Sequence, residues 1–540
     1  MGDHSLTPRL RRTTMNTKGT KNTTSTMFAI VSIVSIVSIV KAPQAPLQVP
    51  VVPTPLFGDV TPTRTCESLA GVTLANTTIE TALVHAGDAR TPASCRVTAI
   101  VTNPPAEDRI RVWVALPMKG WNGRFQGVGG GGFSGGNAEA VRAPLAAGYA
   151  SASTDTGHEG GSGSFALDAN GRLQWQVIRD NAYLGIHQMT VTAKALTREF
   201  YGRAPRYSYF NGCSTGGRQG LAEAQRFPDD YDGIVAGAPA INWPKLHVEQ
   251  LWGHVVMLDA KNFVPSCKFT AATAAAIAAC DSSDGVKDAV IDEPVKCEFD
   301  PKSLVGTTPE GCSAFSAADA DVIRRIWQGP TRQNGGFLWY GLPRGAAFSL
   351  SGTAGTPLTG RPFPITLEWF RYFLLQDPMW DWTSITGDRY EQLFDQSVEQ
   401  WNAVFGTDNP DLTGFRDRGG KLIAWHGWAD PLIFAQGTID YFGRVQQLLG
   451  TEATARFMRL FMAPGVGHCA GGAGPQPSGQ FDAVVGWVEE GRAPETLDAV
   501  IRDKSGAVTR SRPLCRYPSV ARYKGTGSTD LAASFECRRN

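Results

Sequence analysis

The chain has 540 residues, of which 42% are hydrophobic and 19% are charged, and its formal net charge is +1. The near-neutral charge and the lack of a basic stripe with interleaved aromatic residues argue against a nucleic-acid-binding protein. The length is too great for one simple core, so we expect one large domain with an insertion, or two domains. The 60 glycines and 34 prolines predict many turns and long loops.

The first 45 residues are typical of a leader rather than of a folded domain. Residues 1–26 are polar and basic, residues 27–40 form an uncharged apolar run, and a proline-rich stretch follows. This order predicts a signal peptide, and therefore a secreted or periplasmic protein without stable membrane insertion after leader removal. The alternatives are a buried strand or a short membrane anchor, but the run is shorter than the ~20 residues that a spanning helix needs.

Strands and helices alternate in residues 46–241, which we interpret as the first part of a core domain. The patterns predict strands over 109–117, 123–128, 147–153, 207–210 and 234–237, and helices over 181–201 and 217–227. Residues 242–418 are rich in tryptophan and cysteine and lack this alternation. It returns in residues 419–540, with predicted strands at 421–425 and 459–462 and helices at 438–449 and 481–490. This organisation predicts an α/β protein with a mostly parallel sheet and a large inserted lid.

The pentapeptide Gly212-Cys-Ser-Thr-Gly216 matches G-x-S-x-G, the nucleophile elbow of serine hydrolases. A glycine-rich pentapeptide is more often only a turn, but here a predicted strand precedes it and a helix-compatible segment follows it. The elbow projects the hydroxyl of Ser214 above the sheet, and the N–H of Thr215 points at the developing oxyanion. We therefore predict that Ser214 is a nucleophile.

An acid and a base should follow the nucleophile in that order, at the ends of later strands. Asp430 follows the strand at 421–425, and His468 follows the strand at 459–462. His468 would take the proton of Ser214, and Asp430 would hold the imidazole tautomer. His426 is a rival base, but it lies before Asp430, and a satisfied loop or core histidine is the favoured interpretation for it.

A second oxyanion donor is expected on the loop after an early strand, where residues 127–136 are rich in glycine. Gly131 and Gly132 are the predicted donors. Such a loop could instead bind phosphate, but it lacks the G-x-x-x-x-G-K-[ST] pattern and no helix-forming segment follows it directly.

Ten cysteines fit an oxidising compartment, since an even number permits complete pairing. Spacing favours two local pairs, Cys66 with Cys95 and Cys515 with Cys537. Four more lie in the middle of the chain: Cys267, Cys280, Cys297 and Cys312. The remaining two, Cys213 and Cys469, flank the predicted nucleophile and base, so a disulfide can close behind the site if the triad forms. Coincidence, or Cys213 as a thiol nucleophile, is the alternative.

Four motifs together resemble the tannase and feruloyl esterase family of α/β-hydrolases, which also includes mono(2-hydroxyethyl) terephthalate hydrolase. The resemblance rests on Asn211–Gly220, Gln225–Ile234, His426–Asp430 and Gly467–Cys469, and it runs from about Cys66 to Cys537. It implies an α/β-hydrolase fold, a lid inserted after the nucleophile helix and a Cys213–Cys469 disulfide. It also implies hydrolysis of small aromatic esters, with plant phenolic esters favoured over the terephthalate monoester.

The resemblance further implies a structural Ca²⁺ ion in the lid, within Cys280–Val290. Carboxylates would come from Asp281, Asp284 and Asp288, and backbone carbonyls from Val286 and Val290. Clustered oxygens around a glycine turn suit Ca²⁺, although an exposed acidic loop is the simpler interpretation. Aromatic residues of the lid either line an acyl pocket or form the lid core: Trp369, Phe370, Tyr372, Phe373, Trp380 and Trp382.

Two other classes of function remain open at this point. A calcium-dependent binding protein with an inactive hydrolase fold is one, and the intact Ser214, Asp430 and His468 argue against it. A serine peptidase or lipase on the same fold is the other, and no apolar lipid-binding helix favours it.

Overall fold

The computed structural model describes residues 53–348 and 362–539. The predicted leader lies outside these residues, so the signal peptide stays a prediction. No helix among the described residues combines the length and the apolar character needed to cross a membrane.

A mixed sheet lies at the centre of the described residues. Its strands are β1 (Thr77–His85), β2 (Ser94–Val101), β3 (Ile110–Pro117), β4 (Arg124–Val128), β5 (Ala150–Thr154), β6 (Tyr207–Cys213), β7 (Gly233–Gly237), β8 (Lys421–Gly427) and β9 (Met458–Ala463). Their order is β1-β2-β3-β5-β4-β6-β7-β8-β9. The pairs from β1 to β5 are antiparallel, and those from β5 through β4 to β9 are parallel. The prediction of a mostly parallel sheet is confirmed.

The helices of the described residues follow the predicted alternation on both sides of a long helical insertion. They are α1 (Arg142–Ala146), α2 (Trp175–Arg179), α3 (Gly185–Tyr201), α4 (Thr215–Arg226), α5 (Trp243–Glu249), α6 (Trp252–Asp259), α7 (Ser266–Cys280), α8 (Ala317–Gln328), α9 (Pro364–Glu368), α10 (Gly387–Phe405), α11 (Thr413–Asp417), α12 (Ala435–Leu449), α13 (Thr451–Ala455) and α14 (Gln480–Glu490).

Helices cover both faces of the parallel strands, which explains why β7 is apolar and buried along its whole length. In β7, Ile234 packs in one cluster with residues of α3, α4 and α12, while Val235 packs in another with Val484 and Trp487 of α14. Successive side chains of a strand point to opposite faces. A strand buried on both faces therefore reads as a continuous apolar run rather than as an alternating one.

The segment between β7 and β8 adds no strand to the central sheet within its described residues, 238–348 and 362–420. Its helices α5 to α10 build a separate core, with the fully buried Trp369 and Trp401 among its largest side chains. Two disulfides lie within it, Cys267–Cys312 and Cys280–Cys297. This arrangement matches the predicted position of a lid, and the boundaries at residues 242 and 418 stay a prediction.

Two groups of strands were not predicted from the sequence. β1 and β2 extend the antiparallel side of the sheet. Near the carboxyl terminus lie β10 (Gln476–Ser478), β11 (Thr496–Arg502), β12 (Val508–Cys515), β13 (Ser519–Tyr523) and β14 (Phe535–Arg539), in two small antiparallel sheets. A disulfide cross-links each group. Cys66–Cys95 links β2 to the segment before β1, and Cys515–Cys537 links β12 to β14.

Candidate active site

Ser214 lies at the sharp turn between β6 and α4, with a backbone φ of +65°. A residue other than glycine is strained in this region, so neighbouring contacts must hold it there. The N–H of Ser214 donates to the carbonyl of Gly237 at 2.9 Å. A Cβ on Gly212 would lie 2.5 Å from the backbone of Gly216, so only glycine permits the turn to close this tightly. The result is a serine hydroxyl fixed at the carboxyl end of the sheet.

Asp430 and His468 follow the ends of β8 and β9, at the same edge of the sheet as Ser214. Nε2 of His468 lies 2.9 Å from Oγ of Ser214, and Nδ1 lies 2.8 Å from Oδ2 of Asp430. The structure thus brings together the three residues that the sequence predicts as a triad, in one continuous hydrogen-bonded chain.

The electrostatics of this chain favour a charged carboxylate beside a basic imidazole. Burial by itself would raise the pKa of Asp430, but His468 and His426 outweigh it and hold that pKa well below its ordinary value. For His468, burial by itself would lower the pKa, but the charge and hydrogen bond of Asp430 raise it by more, so the net shift of the pKa is upward. Asp430 therefore stays ionised and strengthens His468 as a proton acceptor.

His426, the rival base, is a fully buried histidine that contacts the acid instead of the nucleophile. Its Nε2 lies 3.2 Å from Oδ2 of Asp430 and 2.8 Å from the carbonyl of Ile433, while Nδ1 lies 2.8 Å from Oγ1 of Thr438. The other carboxylate oxygen of Asp430 accepts the N–H groups of Leu432 and Ile433. His426 is thus one of several groups that fix the orientation of Asp430. The sequence signal for the contact between His426 and Asp430 was their separation of only four residues in the chain.

The predicted oxyanion donors divide into two cases. Among the described residues, the N–H groups of Thr215 and Gly132 donate to no protein acceptor, and both residues line the cavity beside Ser214. The N–H of Gly131 donates to the carbonyl of Ser134 at 3.1 Å in a tight turn. The N–H of Gly131 is thus already engaged, whereas that of Gly132 is free, and the identity of the second oxyanion donor stays a prediction. The Thr215 hydroxyl donates to the carbonyl of Gly132 at 2.6 Å and links the two loops.

Cys213 and Cys469 form a disulfide with a Cα–Cα distance of 5.9 Å. The bond joins the residue before Ser214 to the residue after His468. All ten cysteines are paired, so a thiol nucleophile at Cys213 is ruled out for this structure. The disulfide places a covalent link directly behind the hydroxyl and the imidazole.

Comparisons with known proteins show the family to which the chain belongs. Residues 95–538 match the family model described as tannase and feruloyl esterase. The chain belongs to the tannase and feruloyl esterase family. It is 41% identical to a probable feruloyl esterase of Arthroderma benhamiae, over 83% of this chain and 86% of the relative. It is 32% identical to mono(2-hydroxyethyl) terephthalate hydrolase of Piscinibacter sakaiensis, over 84% and 86% of the two chains.

A solved structure shares the fold over nearly its whole length. Feruloyl esterase B from Aspergillus oryzae superposes with a TM-score of 0.78 at 29% identity, covering 88% of this chain and 99% of that one. The family membership and this likeness confirm the α/β-hydrolase fold, and the protein is a carboxylic ester hydrolase.

A cavity of about 400 Å³ lies beside Ser214, between the family's hydrolase core and the helical insertion. This volume lies within the range of small-molecule sites. Its insertion side is mostly apolar and aromatic, formed by Trp243, Leu246, His247, Gln250, Phe363 and Ile365. For Trp243, Leu246 and His247, the sequence signal was their position in the chain. They lie on α5, which begins six residues after β7, and β7 is the neighbour of the strand that ends at the nucleophile.

The aromatic residues considered from the sequence for the acyl pocket lie elsewhere. Trp369 and Phe373 are fully buried and stack on each other at 4.7 Å between ring centroids. Phe370 stacks on Trp380 at 5.0 Å, and Trp382 packs edge to face on His254. Tyr372 packs against the same cluster. These aromatic side chains therefore pack in the core of the insertion, as the alternative interpretation of the sequence expected.

The acidic loop that follows α7 is folded tightly on itself. Both oxygens of Asp281 accept N–H groups, from Asp288, Ala289 and Val290. Oδ2 of Asp288 pairs with Arg512 at 2.8 Å. Asp281 and Asp284 are buried, in contrast to the exposed acidic loop that was the simpler expectation.

A different cluster brings possible metal ligands closest together. Within residues 53–348 and 362–539, His187, Glu223 and Asp230 are the one group of three or more whose ligand atoms all lie within 4.8 Å of one another. Nδ1 of His187 lies 2.6 Å from Oδ2 of Asp230. Burial, followed by the neighbouring Asp230, raises the pKa of Glu223 well above its ordinary value. These residues on α3, α4 and the following turn form a group with the ligand atoms to hold a cation, and they are too far apart in sequence to form a recognisable motif.

Proposed function

We propose that this protein hydrolyses esters of aromatic, phenolic acids through an acyl-enzyme on Ser214. The observation that carries the proposal is the hydrogen-bonded chain from Ser214 through His468 to the buried Asp430. A mostly apolar cavity of about 400 Å³ beside the hydroxyl supports an aromatic acyl group as its occupant.

In the first half-reaction, Nε2 of His468 takes the proton of Ser214 as Oγ bonds to the ester carbonyl carbon. The carbonyl oxygen becomes an oxyanion, and the free N–H groups of Thr215 and Gly132 donate to it. The C–O bond to the alcohol then breaks, and His468 gives its proton to the departing alcohol oxygen. Ser214 is left as an ester of the aromatic acid.

In the second half-reaction, water replaces the alcohol. His468 takes a proton from the water as its oxygen bonds to the acyl carbon, and the same two N–H groups hold the second oxyanion. Collapse of that intermediate breaks the bond to Oγ, and His468 returns the proton to Ser214. The free acid leaves, and the enzyme is restored.

The test is a screen of purified protein with methyl ferulate, methyl gallate and mono(2-hydroxyethyl) terephthalate, with p-nitrophenyl acetate as a general ester. We expect the phenolic esters to have the highest kcat/KM. The terephthalate monoester is the alternative substrate, because a relative is named for that activity. A higher kcat/KM for the terephthalate ester than for both phenolic esters would contradict the proposal.

The second alternative is a non-catalytic, calcium-dependent binding protein on the same fold. Binding of all three aromatic esters without turnover of any of the four esters would favour it. The intact triad and the two free N–H groups support catalysis instead.

We also propose that a structural Ca²⁺ ion binds in the lid loop at Asp281, Asp284 and Asp288, with the carbonyls of Val286 and Val290. The donor set fits, since Ca²⁺ prefers six to eight hard oxygen ligands in a flexible arrangement. Burial, followed by Asp284 and Asp288, raises the pKa of the neighbouring Asp292 well above its ordinary value. Crowded, buried carboxylates of this kind are stabilised by a bound cation.

Secretion to an oxidising compartment is supported by the five disulfides and by the predicted leader. Analysis of the amino terminus of the exported protein tests the proposal of secretion. A mature chain that begins before residue 27 would contradict it.

We further propose that residues 242–418 act as a lid that supplies the acyl-binding wall.

A further inference from the structure

His247 lies on α5, in the wall of the cavity that contains the Ser214 hydroxyl. Its side chain packs edge to face against Trp243, with ring centroids 4.4 Å apart and planes at 81°. Phe133 and Trp369 lie against the same ring. The residue is only 3% exposed, so these neighbours fix the orientation of the imidazole.

The partners of Gln250 determine which ring nitrogen carries the hydrogen. The amide nitrogen of Gln250 donates to the carbonyl of Leu432 at 2.7 Å. A carbonyl only accepts, so the amide oxygen must point the other way, where it accepts the Thr366 hydroxyl at 2.8 Å. The same oxygen lies 3.0 Å from Nδ1 of His247. Because an amide oxygen also only accepts, Nδ1 must be the nitrogen that bears the hydrogen.

The other nitrogen, Nε2, is therefore an acceptor. Burial, with a smaller contribution from the charge of Arg218, outweighs the hydrogen bond that Nδ1 donates to Gln250 and lowers the pKa of His247 to about 3, so the ring is neutral at physiological pH. Nε2 is buried and has no hydrogen-bond partner among the described residues. Buried polar atoms are nearly always paired, so an unmatched acceptor on a side chain that lines a ligand cavity points to a donor on the ligand.

We propose that Nε2 of His247 accepts a hydrogen bond from a hydroxyl on the aromatic ring of the acyl group. This inference rests on the proposed function, and it names the group on the substrate that the site recognises. A phenol supplies the donor that Nε2 lacks, whereas a methyl ether has no hydrogen to give. A carboxylate, as on the ring of the terephthalate monoester, would place a second acceptor opposite Nε2 and would bury a negative charge against an apolar part of the cavity wall.

The acceptor is connected to the catalytic loop through Leu432. The carbonyl of Leu432 holds Gln250, and its N–H donates to Oδ1 of Asp430 at 2.8 Å. One residue thus joins the group that orients His247 to the acid of the triad. A hydroxyl bound at His247 would therefore hold the aromatic ring in a fixed relation to Ser214.

The test compares kcat/KM for methyl p-coumarate, methyl 4-methoxycinnamate and methyl cinnamate, which differ only at one ring position. For the unmodified protein, we expect p-coumarate to exceed the other two by roughly 10- to 100-fold, because a site built for a hydroxyl discriminates against analogues that lack it. In His247→Phe, the three values should converge. Ratios between substrates within one variant cancel any change in folded fraction or in general catalysis.

His254→Phe is the matched control, since this lid histidine is buried on α6 against Trp382. It should keep the p-coumarate preference. Equal kcat/KM for p-coumarate and cinnamate in the unmodified protein would overturn the inference, and so would an undiminished preference in a folded His247→Phe. Failure of the proposed function gives a different result, in which none of the three cinnamates is hydrolysed.

Discussion

At the scale of single residues, the site depends on a strained serine, a basic imidazole and a buried carboxylate. Ser214 keeps a φ of +65° because the Gly237 carbonyl and the glycine-rich turn hold it there. Asp430 has no exposed surface, yet it is ionised because four hydrogen bonds converge on its two carboxylate oxygens. The strain and the buried charge lie where the chemistry needs a preorganised hydroxyl.

Replacement of the nucleophile should remove turnover without unfolding the protein. Ser214→Ala deletes only Oγ, and the residues of a triad act as a unit, so we expect kcat to fall by about three to six orders of magnitude. The Tm should change little. Steady-state hydrolysis of methyl ferulate and a thermal melt measure the two effects. Activity above a tenth of the parent would mean that another group is the nucleophile.

The pH dependence should report the upward shift of the His468 pKa. The base must be neutral to accept the Ser214 proton, and Asp430 stabilises the charged form. Activity is therefore lost as pH falls through a raised pKa, and the acid limb of kcat/KM should have its midpoint above the ordinary value of about 6.5.

In Asp430→Asn the negative charge is gone, so the His468 pKa should move downward. NMR titration of the imidazole signals measures this shift even where the activity is low. An unchanged pKa in this variant would contradict the assigned partnership of Asp430 and His468.

At the scale of elements, the loop after α7 is the part of the lid whose fold depends most on local contacts. The Cys280–Cys297 disulfide spans it, Asp281 binds three of its N–H groups, and Arg512 of β12 pairs with Asp288. These contacts bring the loop of the lid against the carboxyl-terminal strands. A cation in the loop would stabilise this junction as well as the lid.

Removal of calcium should lower the stability of the protein. An ion bound only to the folded state at about 100 times its Kd contributes about 2.7 kcal/mol, which corresponds to a Tm change of several degrees. We expect a chelator to lower the Tm and added Ca²⁺ to restore it. Asp284→Asn should abolish this response, while Asp498→Asn, at an exposed position of β11, should keep it. An unchanged Tm after verified metal removal would count against the site.

At the scale of the whole molecule, the proposed catalytic residues come from parts of the chain that the helical insertion separates. Cys213 and Cys469 are 256 residues apart in sequence, and their disulfide joins the ends of β6 and β9 across the intervening β7 and β8. The sheet sets the approximate distance between Ser214 and His468. The covalent bond then limits how far the two loops can move apart.

Loss of this disulfide should affect catalysis more than substrate binding. Cross-linking a loop of this length stabilises the fold by about 5.5 kcal/mol in the chain-entropy model. In Cys213→Ala/Cys469→Ala, we expect a lower Tm and a fall in kcat that exceeds the rise in KM, since Ser214 and His468 lose their fixed spacing.

Cys515→Ala/Cys537→Ala is the control, because that disulfide joins β12 to β14, which carry none of the three triad residues. It should lower the Tm with a smaller effect on kcat. Equal losses of kcat in the two double variants would show that the Cys213–Cys469 bond has no special role in the catalytic geometry.

The sequence by itself determined the parallel part of the sheet, the elbow at Ser214 and the order of acid and base. These features follow from local rules: apolar runs for doubly buried strands, glycines for a tight turn, and polar residues directly after strands. β1, β2 and the carboxyl-terminal strands were missed because their pattern is set by partners far away in the chain. Their amphipathic or mixed composition carries little signal without those partners.

Only the tertiary structure decided which backbone N–H groups are free and which residues line the cavity beside Ser214. Gly131 and Gly132 are equivalent in sequence, but the turn to Ser134 engages one N–H and leaves the other open. The lid aromatics have the composition of a pocket, yet Trp369 and Phe373 are in the core, while Trp243 and His247 line the cavity. A residue type fixes what a side chain can bind, whereas its neighbours in the folded chain fix whether that capacity is already used.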